Sequence, residues 1–437
     1  MKLAFNPNIS LRPFDTTTSE EMLLCEIPTR DSALETRYAI PAKLVAFLKC
    51  FDGKKSVDDV VRSYAAEHPD QYSLEKLHAL VDHYCIPKRL LIDPMQAYEP
   101  PAPSHSRRSY LYLKVGLIPA KAVASLTRPL KWLFQRAVLL AFLPFFVATQ
   151  VLFLVYILPH YHFNLNEITG YDFFLLSTIT SVFGLFHELG HAAALSHYGG
   201  KRAEIGWGLY FVFTVFYTDL SEGWRLKREQ RAVIDVGGIY FHCISLILLL
   251  ALIYLTHWPM LVYCFFFIDT QIAGSLNPFL RMDGYWLIAD LFGISDLRKQ
   301  SIGMLERGFY KLFRINAKPV YSTVQLSRGA NIFVAIYSLV GAVFFVYLTG
   351  IMFHQVAFRL LPGYPKLAIE FWHVLRTNPS HVLALLNLLA SMAWKGVALF
   401  GLGMFLYRFL KGFYRFLMRF GENVKFRFWR PASDITR

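Results

Sequence analysis

The sequence predicts an α-helical polytopic membrane protein carrying a small N-terminal α+β domain, and three observations support this. Hydrophobic residues make up 55% of the 437 positions and charged residues only 17%, with a mean hydropathy of +0.36, too apolar for an ordinary soluble chain. Apolar runs near the roughly 20 residues that a spanning helix needs recur about six times beyond residue 136. Residues 1 to 95, by contrast, show ordinary charge density and short amphipathic patterns with no spanning run.

Charge and cysteine content narrow the function classes. The net charge of +14 is concentrated beside the apolar runs, which fits cytoplasmic flanks held against anionic lipid and argues against nucleic acid as a partner. Cys25, Cys50, Cys85, Cys243 and Cys264 lack CxxC spacing, so neither a disulfide framework nor a thiolate zinc site is expected. Met1 to Pro13 lacks the apolar stretch of a signal peptide, which places the N-terminus in the cytosol.

In the N-terminal domain, Met22 to Ile27 and Tyr38 to Ile40 read as strands, Pro41 opens a helix over Ala42 to Cys50, and Asp52-Gly53 ends it. Ser56 with Asp59 forms a capping-box pattern ahead of a helix whose Val57, Val60, Val61, Tyr64 and Ala65 share a face. Ser73 starts another helix with Leu74, Leu77, Leu80, Val81 and Tyr84 inward, and Arg89 to Ile92 reads as a short strand. The sum is a winged-helix-like unit. The run from Ile40-Pro41-Ala42 through Phe51-Asp52-Gly53-Lys54-Lys55-Ser56-Val57-Asp58-Asp59-Val60, followed by a second helix pair, resembles the PqqD-like domains that recognise leader peptides. That resemblance implies that a peptide adds as a strand to the sheet edge.

Residues 96 to 136 form a linker and interfacial segment. Pro94 to Arg108 is Pro-rich and polar, Tyr110 to Val115 is a strand or an interfacial segment, and Trp132 fits an interfacial anchor. The expected spans lie near 137–158, 171–195, 233–256, 260–280, 331–353 and 381–407. Basic flanks before the first, between the second and third, between the fourth and fifth, and after the sixth put both termini in the cytosol. The loops at 159–170 and 257–259 carry no Lys or Arg, while 354–380 is an outside loop despite its Arg359, Lys366 and Arg376. Residues 203 to 213, rich in glycine and aromatics, read as a membrane-dipping hairpin or edge strand, and the Phe- and Arg-rich tail from Phe413 to Trp429 as an interfacial segment or a stop-transfer flank.

The second span contains Phe186-His187-Glu188-Leu189-Gly190-His191-Ala192. On a helix, His187 and His191 project from one face and can bind one metal ion, with Glu188 beside them as a base for water, which is the chemistry of a zinc hydrolase. Ionisable groups at membrane depth are costly unless they function. A catalytic zinc takes three protein ligands and leaves one position open. His197 completes a zincin-like spacing, but Ala194 stands where glycine would break the helix, leaving His197 about 240° off the ligand face. Asp283, in Asn277-Pro278-Phe279-Leu280-Arg281-Met282-Asp283-Gly284, ends the fourth span at the same cytosolic depth and is the favoured third ligand.

His187-Glu188-Leu189-Gly190-His191 in one helix with Asn277-Pro278 and Asp283-Gly284 in a later one resembles the site-2 protease family of intramembrane zinc metalloproteases, over about residues 130 to 300. The resemblance implies that His187, His191 and Asp283 bind Zn2+, that Glu188 is the general base, and that Asn277 and Pro278 unwind the later helix and hold substrate. Gly237-Gly238 falls where many members have Ala-Gly-Pro followed by Asn, and here Ile239, Tyr240 and His242 follow. With the soluble front domain, the arrangement is most similar to the peptide zinc metalloprotease branch. The expected domains are a peptide-recognition unit at 1–95, the linker at 96–136, a catalytic core at 137–300, and additional helices with a basic tail at 301–437. The expected activity is cleavage of a ribosomally made peptide near the cytosolic side of a bacterial inner membrane. Two alternatives stand beside it: a non-proteolytic export, immunity or scaffold component that keeps the zinc site, and regulated proteolysis of a membrane-anchored signalling protein.

Overall fold

The computed structural model of the chain describes residues 1–17, 20–28, 35–69, 73–96, 111–161, 170–210, 213–294, 296–312, 326–378 and 381–428. The N-terminal domain is built from two small sheets and three helices. Strands β1 (Lys2–Phe5), β2 (Ser10–Phe14), β3 (Met22–Pro28) and β4 (Glu35–Pro41) lead into helix α1 (Ala42–Lys49), strand β5 (Asp52–Ser56), helices α2 (Val57–Glu67) and α3 (Leu74–Leu80), and strand β6 (Leu91–Ile92). One sheet has the order β5-β1-β6 and the other is the antiparallel meander β2-β3-β4. Ser56 caps α2 as its spacing to Asp59 implies: the Asp59 amide donates to Ser56 Oγ at 3.2 Å and the Ser56 hydroxyl to Asp59 Oδ2 at 2.6 Å. Leu3, Ile27, Ile40, Phe47, Leu48, Val61, Leu77 and Leu90 close the core. Asp52–Ser56 is a strand and not merely the stop of α1; its polar DGKKS sequence carries no alternation, and pairing with β1 recruits it.

The helical part begins with β7 (Leu111–Ile118), α4 (Ala120–Thr127) and α5 (Arg136–Leu152), then α6 (Gly170–His197), the hairpin β8 (Ile205–Tyr210) and β9 (Phe213–Thr218), α7 (Arg228–Thr256), α8 (Pro259–Ser275), α9 (Asp283–Leu291), α10 (Leu297–Leu312), α11 (Arg328–His354), α12 (Leu361–Thr377) and α13 (Val382–Phe428). Strand β7 joins the hairpin as the order β7-β8-β9, so the segment around Tyr112 is a strand. Three helical stretches among the described residues are long and apolar enough to cross a membrane, Arg136–His160, Arg228–Thr256 and Arg328–Thr377, marking the chain as a membrane protein. Of the other expected spans, α6 has 28 residues but carries the His-Glu-His cluster, α8 has 17, and the last lies within α13. The 354–380 stretch is mostly helix rather than loop: a π-turn at Gln355–Leu360 runs into α12, with Pro362 in the first turn, where a missing N–H is tolerated. Most of the Pro-rich linker and the side chains of Phe413, Phe416 and Phe420 in the tail lie outside the described residues. All five cysteines are free.

Helix α7 is the buried centre of this part, with α5, α6, α8 and α9 packed around it. Its contact with α6 is backbone on backbone. A Cβ at Gly190 would lie 2.3 Å from the Gly237 carbonyl oxygen, and one at Gly237 would lie 2.8 Å from the Gly190 oxygen. Gly190→Leu should therefore force the helices apart at a cost of about 2 kcal/mol or more, seen as a lower thermal unfolding midpoint in detergent. Gly274→Leu, where an added Cβ meets nothing within 4 Å, should leave the midpoint unchanged.

The N-terminal domain docks on the turn before α7 and the turn after α9. Phe14 stacks on Trp224 with centroids 5.7 Å apart, the Arg228 amide donates to Asp15 Oδ2 at 3.1 Å, and the Thr17 amide donates to the Gly293 carbonyl at 3.2 Å. Glu26, only 2% exposed on central strand β3, takes Arg225 Nε at 2.6 Å from the membrane part and Arg37 Nε at 2.9 Å from its own sheet. Burial alone would raise the Glu26 pKa, but the hydrogen bonds from Arg225 and Arg37 outweigh it and hold it below the ordinary glutamate value. A depressed carboxylate contributes stability that is present above the unfolded value of about 4.3 and lost as pH falls through the lower folded value. Glu26→Gln should destabilise the docked domain by about 3 kcal/mol at neutral pH and remove this acid-side pH dependence, measured by hydrogen exchange of β3.

Candidate metal centre

Two elements, α6 and α9, deliver the three candidate ligands. On α6, His187 and His191 are one turn apart and both buried, at 7% and 4% exposure. Helix α8 stops at Ser275, and the chain turns through 276–282 before α9 restarts with Asp283 as its first residue. Asn277 holds that turn: its Oδ1 accepts from the Phe279 amide at 2.9 Å and the Leu280 amide at 3.4 Å, while the Pro278 carbonyl accepts from Tyr337 Oη at 2.8 Å. Gly284 is required by the tightness of the return, since a Cβ there would sit 2.2 Å from the Leu276 carbonyl oxygen. Asn277 and Pro278 thus act on the backbone that carries Asp283.

The ligand atoms converge. His187 Nε2 lies 3.1 Å from His191 Nε2 and 3.2 Å from Asp283 Oδ2, and His191 Nε2 lies 3.5 Å from Asp283 Oδ1. One donor atom from each of the three residues falls within 4.8 Å of the others. Asp283 Oδ2 is buried with no hydrogen-bond partner among the described residues. Two imidazole nitrogens and a carboxylate oxygen are the donor set of an open catalytic zinc site, so these residues fit the metal that the motif implies. Helix α7 leaves room for it: a Cβ at Gly238 would meet His187 Nε2 and His191 Nε2, each at 2.4 Å.

Glu188 is 9% exposed, and the Thr218 hydroxyl at the end of β9 donates to its Oε2 at 2.7 Å and lies 3.0 Å from its carbonyl oxygen. No motif or spacing marks Thr218 in the sequence, because its pairing with Glu188 spans 30 residues. His242, shortly after the Gly237-Gly238 pair, brings its Nδ1 to 3.2 Å from His187 Nδ1. His197, the rival third ligand, points elsewhere, with its ring 6.4 Å from that of Phe134.

Comparison with known proteins is consistent with this chemistry. The chain is 25% identical over 131 residues, 29% of its length, to the "Putative peptide zinc metalloprotease protein YydH" of Bacillus subtilis (strain 168). It spans about half the length of that relative, 52%. No family model and no solved structure matches.

Gly238→Ala should drive a methyl group into the two imidazoles and weaken zinc binding about tenfold or more, the scale of disturbed ligand orientation. Chelator competition on purified protein checks this.

Proposed function

We propose that the chain is an intramembrane zinc metalloprotease that cleaves a peptide bond near the cytosolic side of the membrane. The observation that carries the reading is the convergence of His187, His191 and Asp283 beside Glu188, all on or next to long apolar helices. Zinc held by the three ligands supplies an electrophile that acidifies water and polarises the scissile carbonyl. Glu188 takes a proton from the attacking water and returns it to the departing amide nitrogen, so that one water is consumed as the C–N bond breaks. Thr218 holds the Glu188 carboxylate toward the site through its 2.7 Å hydrogen bond.

Substrate must arrive extended, because a helical peptide has its carbonyls occupied. Strand β9 is an outer strand of its sheet, as is β7, and ends at Thr218, beside Glu188. A substrate strand added along that edge brings its backbone to the base, with Asn277 and Pro278 bounding the approach from the α8–α9 turn. The N-terminal sheet domain captures a ribosomally made peptide and presents it to the core, and both termini lie in the cytosol of a bacterial inner membrane.

Glu188→Gln should lower peptide cleavage by roughly 10²–10⁴-fold while retaining zinc, read by mass spectrometry of products and by metal analysis. Undiminished cleavage would exclude the mechanism. Thr218→Val should lower kcat with less effect on KM, because it frees the base without removing a backbone pairing group.

A further inference from the structure

The two candidate histidines are supported differently on their far side. His191 Nδ1 lies 2.7 Å from the Ile234 carbonyl oxygen. A carbonyl only accepts, so His191 carries its proton on Nδ1 and turns an unprotonated Nε2 toward the site. Among the described residues, no carbonyl is paired with His187 Nδ1 in this way. Its Nδ1 faces the Nδ1 of His242 at 3.2 Å, with ring centroids 4.3 Å apart. Ile234, Gly238 and His242 are spaced four apart along α7, so one stripe of that helix supports His191, clears the ligand space and meets His187 in turn.

His242 is 3% exposed, and its Nε2 is buried without a hydrogen-bond partner among the described residues. A phenylalanine of similar size would leave no polar atom unmet there. What the imidazole adds is a ring nitrogen, Nδ1, that can accept a hydrogen bond and lies 3.2 Å from His187 Nδ1, next to the Phe183 backbone.

We propose that His242 is the positioning residue for His187: its Nδ1 accepts the His187 Nδ1–H, so that His187 presents an unprotonated Nε2 beside those of His191 and Asp283. His242 is then neutral, with its own proton on Nε2. Opposite proton placement, with His242 donating, would put the His187 proton on Nε2 and block it as a ligand. The inference rests on the metalloprotease reading, since it concerns loading of the same site.

The test uses the full-length protein in detergent. His242→Phe should weaken zinc binding by about 10- to 100-fold in a chelator competition, with metal-free thermal unfolding unchanged. His242→Asn and His242→Gln, whose amide oxygens accept, should restore most of the affinity. Equal zinc affinity of wild type and His242→Phe would overturn the proposal. So would equal loss in the Phe, Asn and Gln variants, which would mark a packing role. Nitrogen chemical shifts of ring-labelled histidines in the zinc-loaded wild type read the tautomers directly, independently of variant folding. His187 protonated at Nδ1 and His242 at Nε2 is expected, and His242 protonated at Nδ1 overturns it. Failure of the enzyme reading looks different: wild type would bind no zinc, or Glu188→Gln would still cleave.

Discussion

The close crossing of α6 and α7 is the constraint on which the rest depends. At Gly190 and Gly237 the two backbones touch without intervening side chains. That approach puts Gly238 under both imidazoles and brings the Ile234 carbonyl and His242 within reach of their Nδ1 atoms. Packing between helices in lipid depends on such small-residue contacts, because apolar side chains gain little by leaving lipid for one another. Glycine here is therefore structural and functional at once. It sets the helix distance, and the distance sets the geometry of the nitrogen pair.

The third candidate ligand reaches that pair by a different device. A continuous α8–α9 helix would have carried Asp283 onward along its own axis. The break at 276–282, capped by Asn277 and tightened at Gly284, turns the chain back so that α9 starts with Asp283 facing α6. Arg231 then ties this arrangement to the N-terminal domain. Its Nε donates to Asp290 Oδ1 on α9 at 2.8 Å, its Nη2 donates to the Asp15 carbonyl at 3.2 Å, and its guanidinium lies 5.0 Å from the Phe14 ring centre. One buried cation thus joins the ligand-bearing helix, the central helix and the docked domain.

Two further contacts tie distant elements of the chain together. Glu26 uses one carboxylate to hold both its own sheet and the Arg225 turn, so docking and domain folding are coupled through a single buried charge. Across the core, Thr218 couples the end of β9 to the Glu188 carboxylate. The end of that strand is thus fixed to the carboxylate.

By itself the sequence brought out the candidate ligands His187, His191 and Asp283 and the carboxylate of Glu188. Two histidines at helical spacing, a carboxylate between them and an Asp-Gly after an Asn-Pro are local patterns, and local patterns survive without knowledge of the fold. Ser56 and Ser73 marked helix starts for the same reason, since each side chain meets an amide three residues away. The pairing of β5 with β1, the recruitment of β7 to the hairpin, the helical course through 355–377, and the parts played by Thr218 and His242 needed the tertiary structure. Each depends on partners far apart in the chain, and neither periodicity nor spacing records which distant backbone or side chain will arrive. Depth in the membrane pointed to Asp283, but only the α6–α7 crossing and the α8–α9 turn decide how closely its oxygens approach the two imidazoles.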